Sequence, residues 1–309
     1  MTTLVYDQFA KDYLKELLAP LGDVETSRDV PGEVQEIDIW FTPYPLERRG
    51  DAKVLGLLGQ LASTPSIFEP FRNEINPYQI RGSLGKLFDI HANLQRQRQR
   101  ENSRLEEADL PWLWILSPTV SATVLNGFKA EQNPKNWLPG VYFLGEYLKT
   151  GIVAIHELPC REETLWLRLL GKGSVQKQAI KEIGALLPNH PLRANALLLL
   201  VNLQATIQTS KDIEIEDQEL VMELSPLLLQ WREEALQEGE ERGLQQGLQR
   251  GARMERRTII ENFLRVRFGD LDEELSGIVQ PLLELSPEEF TTVLLLQLSR
   301  EELLARFAS

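Results

Sequence analysis

Two acidic residues stand in strand-like runs that could aim their side chains: Asp38 in Glu36–Phe41 (EIDIWF) and Glu69 in Ser66–Phe71 (SIFEPF). In the first run Glu36, Asp38 and Trp40 share one side of an alternating pattern, with Ile37, Ile39 and Phe41 on the other. In the second, Ile67, Glu69 and Phe71 share a parity and Phe68 opposes them. Carboxylates on strands suit a hard divalent cation, which takes oxygen ligands, polarises a phosphate and lowers the pKa of an attacking water. A nearby lysine serves such chemistry by orienting that water or meeting the developing charge. Other chemistries have less support. His91, His156 and His190 lack metal-ligand spacing. There is no Ser–His–Asp order, phosphate-binding glycine loop or CxxC pair. Cys160 is the only cysteine, so no intrachain disulfide forms, which fits a reducing compartment.

The elements that must position these acids can be read from periodicity. Residues 6–18 place Tyr6, Phe9, Tyr13, Leu14, Leu17 and Leu18 on one helical face, closed by Pro20 and Gly22. Two strands then flank a turn at Pro31-Gly32, and a helix is expected over Asp51–Ala62. Pro70 marks Ser66–Phe71 as an edge strand. Pro77–Asn93 has helical spacing, and Pro111–Leu116 (PWLWIL) is the continuous apolar run of a strand buried on both faces. Val141–Leu144 and Ile152–Ile155 are further strands. This order predicts an α/β core with a mixed sheet flanked by helices.

After Cys160 the leucine spacing becomes helical over Glu163–Leu170, Val175–Leu187 and Leu192–Gln208. A long helix is expected from Pro226, capped by Ser225, to Phe268, with Gly269 as its C-cap. Short helices over Asp272–Leu285, Pro287–Leu298 and Arg300–Phe307 complete an all-α tail. The expected divisions are 1–160, an α/β domain; 161–219, a helical extension; 220–251, a glycine-patterned helix or linker; and 252–309, a small helical domain.

The helix before EIDIWF, the helix GLLGQLA, the strand FEPFRN and the run PWLWILSP together resemble the Rpn family, bacterial recombination-promoting nucleases and transposase-associated proteins. The resemblance covers roughly residues 1–160. It implies the PD-(D/E)XK nuclease fold and a Mg²⁺-dependent DNA endonuclease. By that resemblance Asp38 and Glu69 are paired metal ligands, and Glu16 on the first helix is a candidate third. The pattern departs at one place: the family's lysine, two residues after the second acid, is here Phe71. Arg72 is next to it but would point to the opposite face of a regular strand. Lys86 on the following helix is the candidate to supply the missing charge. Residues 252–309 resemble a small helical domain of unknown function appended to Rpn-like proteins in cyanobacteria, through Arg267-Phe268-Gly269 and the leucine spacing that follows.

Net charge is −13, whereas a protein that only coats nucleic acid is usually basic. A local basic strip nevertheless exists in QRQRQRENSR. If the helix continues, Arg96 and Arg100 share a face, as do Arg100 and Arg104, with Arg98 beside them, a row that can follow a phosphate backbone. The other reading is a solvated helix end. The tail carries Gly239, Gly243, Gly247 and Gly251 at a spacing of four, which resembles flagellar assembly protein H over this short stretch only. Small residues in a row let another helix approach closely, so a helix pair within the chain or across a dimer is expected, with self-association through 239–251, as in a coiled coil, as the main expectation; the other reading is a flexible connector helical only in part. The N-terminus lacks signal-peptide character, and the longest apolar run, near Ala196–Val201, is far too short to span a membrane, so a cytoplasmic location is expected. Two functions follow: a metal-dependent DNA endonuclease, or a non-catalytic scaffold that keeps the fold and acts through its tail.

Overall fold

In a computed structural model of the chain, helix α1 (Thr2–Leu18) precedes strands β1 (Gly22–Asp29) and β2 (Glu36–Pro43). Helix α2 (Leu57–Leu61), β3 (Ser66–Pro70), α3 (Pro77–Arg100), β4 (Trp112–Ser117), α4 (Ala122–Gly127) and β5 (Glu131–Gln132) follow. Strands β6 (Val141–Phe143) and β7 (Thr150–Ala154) complete a seven-stranded sheet of order β1-β2-β3-β4-β7-β6-β5. The structure describes residues 2–29, 36–133, 135–209, 215–296 and 298–307. The turn expected at Pro31-Gly32 lies outside them. Strand β3 runs parallel to β4, and β4 to β7, while the remaining neighbours are antiparallel. The sheet is therefore mixed, as the element order predicts.

Each face of the sheet has its own apolar layer. Tyr13, Leu14 and Leu17 of α1 pack with Ile39, Phe41 and Phe68 on one side. Ile80, Leu87 and Ile90 of α3 pack with Ile67, Ile115 and Ile152 on the other. Strand β3 is not the edge strand that Pro70 suggests; it lies between β2 and β4 and is buried along its length. Pro70 is its last residue, beyond the Ile39–Phe68 pair that ends the ladder with β2, so no bond to β2 is lost there. The helix expected over Asp51–Ala62 is two pieces. A 3-10 turn (Ala52–Leu55) and α2 meet at Gly56, whose φ of +52° breaks the helix.

Helices α5 (Leu165–Arg168), α6 (Gly173–Ala185) and α7 (Arg193–Thr209) belong to the same body as the sheet. Their Leu167, Ile180, Ile183, Leu197 and Leu200 lie in the core that holds α1. Helix α8 (Ile215–Phe268) begins eleven residues before the expected start, with Pro226 inside it. Ser225 is not its N-cap; its hydroxyl donates to the carbonyl of Val221, 2.7 Å away. An interior proline costs about 3 kcal/mol, but Leu220, Leu224 and Leu228 around it are buried in the core of the first unit and hold the helix through it. The first unit ends at Trp231 and the second covers Arg232–Ser309. Gly269, at φ +90°, ends α8 as expected. Helices α9 (Glu273–Gly277), α10 (Val279–Glu284), α11 (Pro287–Leu295) and α12 (Arg300–Phe307) follow. Ser286 caps α11 with Glu289 in a reciprocal capping box. Ile260, Leu264, Ile278, Leu282 and Phe290 form this unit's own core. Among the described residues no helix is long and apolar enough to cross a membrane.

Candidate active site

The antiparallel register of β2 and β3 pairs Phe41 with Ser66, Trp40 with Ile67 and Ile39 with Phe68. One step further sets Asp38 opposite Glu69, and the Asp38 amide donates to Glu69 Oε1 at 3.4 Å. Glu69 shares the parity of Ile67 in the α3-side core, so its side chain turns to the face that α3 covers. Asn76 caps α3 through the amides of Tyr78 and Gln79, with Pro77 at its start, so the helix begins at a defined place. Ser83, Leu87 and Ile90 face inward, and Lys86, three residues after Ser83 and four before Ile90, shares that inner side. Its ammonium donates to Glu69 Oε2 at 2.9 Å and to Oε1 at 3.1 Å. Lys86 thus meets Glu69 from another element, as the sequence allowed.

A second lysine completes the cluster from the opposite layer. Lys11 of α1 lies 2.9 Å from Asp38 Oδ1 and 2.9 Å from Asp7 Oδ2. Two lysines, from α1 and α3, therefore hold two carboxylates on adjacent strands.

Burial sets the electrostatics. Glu69 is 2% exposed, and its loss of hydration, followed by the charge of Asp38, raises its pKa to about 7 despite Lys86. Burial also raises the Asp38 pKa from its ordinary value, against the pull of Lys11. Burial works against the charge of Lys11, but its hydrogen bonds to Asp38 and Asp7 outweigh this and raise its pKa.

Phe71 is partly buried against the α3-side core, and its amide donates to the Leu116 carbonyl at 2.8 Å. Arg72 is not turned away from the acids. It lines one cleft with Asp7, Asp38, Phe71, Asn73 and Gln79, because β3 ends at Pro70 and strand alternation no longer governs it. Glu16 is not brought to Asp38 and Glu69. It is exposed and accepts a hydrogen bond from Asn195; nine residues after Asp7, it lies about half a turn round the helix. The basic strip is also cut short. Helix α3 ends at Arg100 and Asn102 takes φ +49°, so Arg104 does not continue the row of Arg96 and Arg100. Arg96 bonds Asn93 and Arg98 lies 3.9 Å from Glu101.

Among the described residues no cluster of three or more His, Cys, Asp and Glu could hold a metal ion. Mg²⁺ commonly keeps its waters and binds through one or two carboxylates and substrate phosphate; here each of the two carboxylates is bonded by a lysine. Asp7 and Lys11 were missed in the sequence. Their signal was a lysine on the apolar row of α1, three residues before Leu14 and seven before Leu18. Comparison with protein-family models, curated proteins and solved structures returns no match.

Proposed function

We propose that the chain is a Mg²⁺-dependent DNA endonuclease of the Rpn type, built on a PD-(D/E)XK core, with Asp38, Glu69 and Lys86 as its active site. The observation that carries this reading is the opposed Asp38–Glu69 pair on neighbouring strands, with Lys86 bonded to Glu69. The order of helix, two strands, helix, strand, helix and parallel strand agrees with it. Magnesium, when bound, supplies polarisation of the scissile phosphate and an activated water. Asp38 and Glu69 would hold it. Lys86 would yield a Glu69 oxygen and keep its ammonium beside the phosphate, where negative charge builds up. Lys11 opposes the burial that raises the Asp38 pKa and so favours its charged form. Arg96, Arg98 and Arg100 lie about 15–21 Å further along α3, within reach of the backbone of a bound duplex.

The second reading is a scaffold that keeps this fold without cutting. It is favoured by the lysine that each acid already carries, since two ion pairs leave less net negative charge to attract a cation. Purified protein separates the two readings. It is expected to nick supercoiled plasmid with Mg²⁺ or Mn²⁺ and to stop on addition of EDTA. Asp38→Asn, which keeps shape but removes charge, is expected to abolish nicking with an unchanged circular dichroism spectrum. Equal nicking by the variant assigns the activity elsewhere, and no nicking with either metal leaves the scaffold.

A further inference from the structure

Arg72 has a setting that the acid pair does not explain. Its guanidinium carbon lies 3.4 Å from the centre of the Tyr6 ring, and its side chain is 11% exposed. It donates to Asp217 Oδ1 at 3.2 Å, and the Tyr6 hydroxyl donates to the same oxygen at 2.6 Å. Asp217, from the first turn of α8, is 1% exposed, and its other oxygen, Oδ2, has no hydrogen-bond partner among the described residues. A buried carboxylate with one bare oxygen is poorly satisfied as a purely structural partner. A guanidinium has five N–H donors in a planar fork, and Asp217 takes one of them. The stacked ring and the carboxylate thus fix the plane of the fork while leaving donors for another anion. That anion would lie in the cleft that Arg72 shares with Asp38.

We propose that Arg72 is the phosphate-binding residue of this cleft, held in orientation by Tyr6 and Asp217, and that it grips a backbone phosphate of the nucleic acid whose bond is to be cut. The inference rests on the endonuclease reading for its substrate class. The chemistry is a planar, permanently charged donor facing a tetrahedral oxyanion, for which arginine is better suited than lysine. Asp217 acts through Arg72 and touches no substrate, so it is a positioning residue.

Binding can be measured without cleavage, which separates this inference from the reading beneath it. The probe is a short fluorescent DNA duplex, followed by anisotropy in EDTA and in Ca²⁺ over a series of salt concentrations. Arg72→Gln is expected to weaken binding about tenfold and to lower the slope of log affinity against log salt by about one, the signature of one lost phosphate contact. Arg72→Lys is expected to keep the slope but lose part of the affinity, because the charge remains while the fork does not. Should Arg72→Gln alone fail to fold, Arg72→Gln with Asp217→Asn removes both buried charges together and carries the same measurement. Wild type that binds while either Gln variant binds equally overturns the inference and leaves the nicking assay to judge the active site. Wild type that binds no duplex overturns it as well, whatever that assay shows.

Discussion

Glu69 is the buried carboxylate of the proposed active site, and its charge is set by pH in an accessible range. Its folded pKa of about 7 stands above the ordinary 4.5, raised by burial and by facing Asp38. The native state therefore holds this proton more tightly than the unfolded chain. The stability this gives is fully present below about pH 4.5 and is lost as pH rises through about 7. The urea midpoint of wild type is expected to fall across that window, and that of Glu69→Gln to change less. A wild-type midpoint that climbs there contradicts the buried, proton-holding Glu69. If the proposed endonuclease reading holds, cation binding needs the Glu69 carboxylate, and nicking is expected to rise with pH through about 7. Asp38 and Glu69 were picked out by the family resemblance together with strand parity, and Lys86 only as a candidate on the following helix; the structure brings Lys86 to Glu69. Lys11 and Asp7 were not picked out, since the apolar face of α1 was traced through its leucines and aromatics, and a lysine on that face becomes meaningful only once a carboxylate is found opposite.

At the scale of elements, the structure departs from the sequence reading where a single residue changes the local rule. Gly56 is one such place. It turns the expected helix into two pieces, and a Cβ there would lie 2.3 Å from the Glu163 carbonyl oxygen at a φ of +52°. Gly56→Ala is therefore expected to destabilise the fold by at least about 2 kcal/mol, the sum of left-handed strain and overpacking, read as a lower urea midpoint. Gly82→Ala is its opposite control. Gly82 sits inside α3 with nothing within 4 Å of its Cβ position, and alanine is expected to stabilise by about 0.5–1 kcal/mol. Equal effects of the two changes would mean that the Gly56 turn is not required. Prolines misled in the same way. Pro70 read as an edge signal and Pro226 as a helix start, yet one ends a central strand and the other sits inside α8. In both cases burial of the neighbouring residues decides the matter, and burial is a tertiary property that a linear pattern carries weakly.

At the scale of the molecule, the division at Trp231 differs from the boundaries expected near 160, 219 and 251. The reason is that amphipathic helices declare an apolar row without declaring its partner: those over 165–209 share the core of the sheet. The second unit leaves one such row uncovered. Gly239, Gly243, Gly247 and Gly251 have nothing within 4 Å of their Cβ positions among the described residues, and Leu236, Leu244, Leu248 and Met254 are exposed. Four interior glycines cost about 3–4 kcal/mol relative to alanine, and close approach of another helix would offset that. The charges along α8 favour a second copy as the partner, running antiparallel. Residues 232–246 carry Glu233, Glu234, Glu238, Glu240 and Glu241 against Arg232 and Arg242. Residues 247–261 carry Arg250, Arg253, Arg256 and Arg257 against Glu255 and Glu261. Antiparallel pairing sets the acidic half of each helix against the basic half of the other, whereas parallel pairing sets like against like. Sedimentation is therefore expected to show a dimer that weakens as salt is raised, since exposed charge pairs are screened. Replacing Gly243 and Gly247 with leucine is expected to weaken it by forcing the backbones apart, and replacing them with alanine to matter less. A monomeric wild type, or a dimer indifferent to the leucine pair, would make the glycine row a solvated helix face and nothing more.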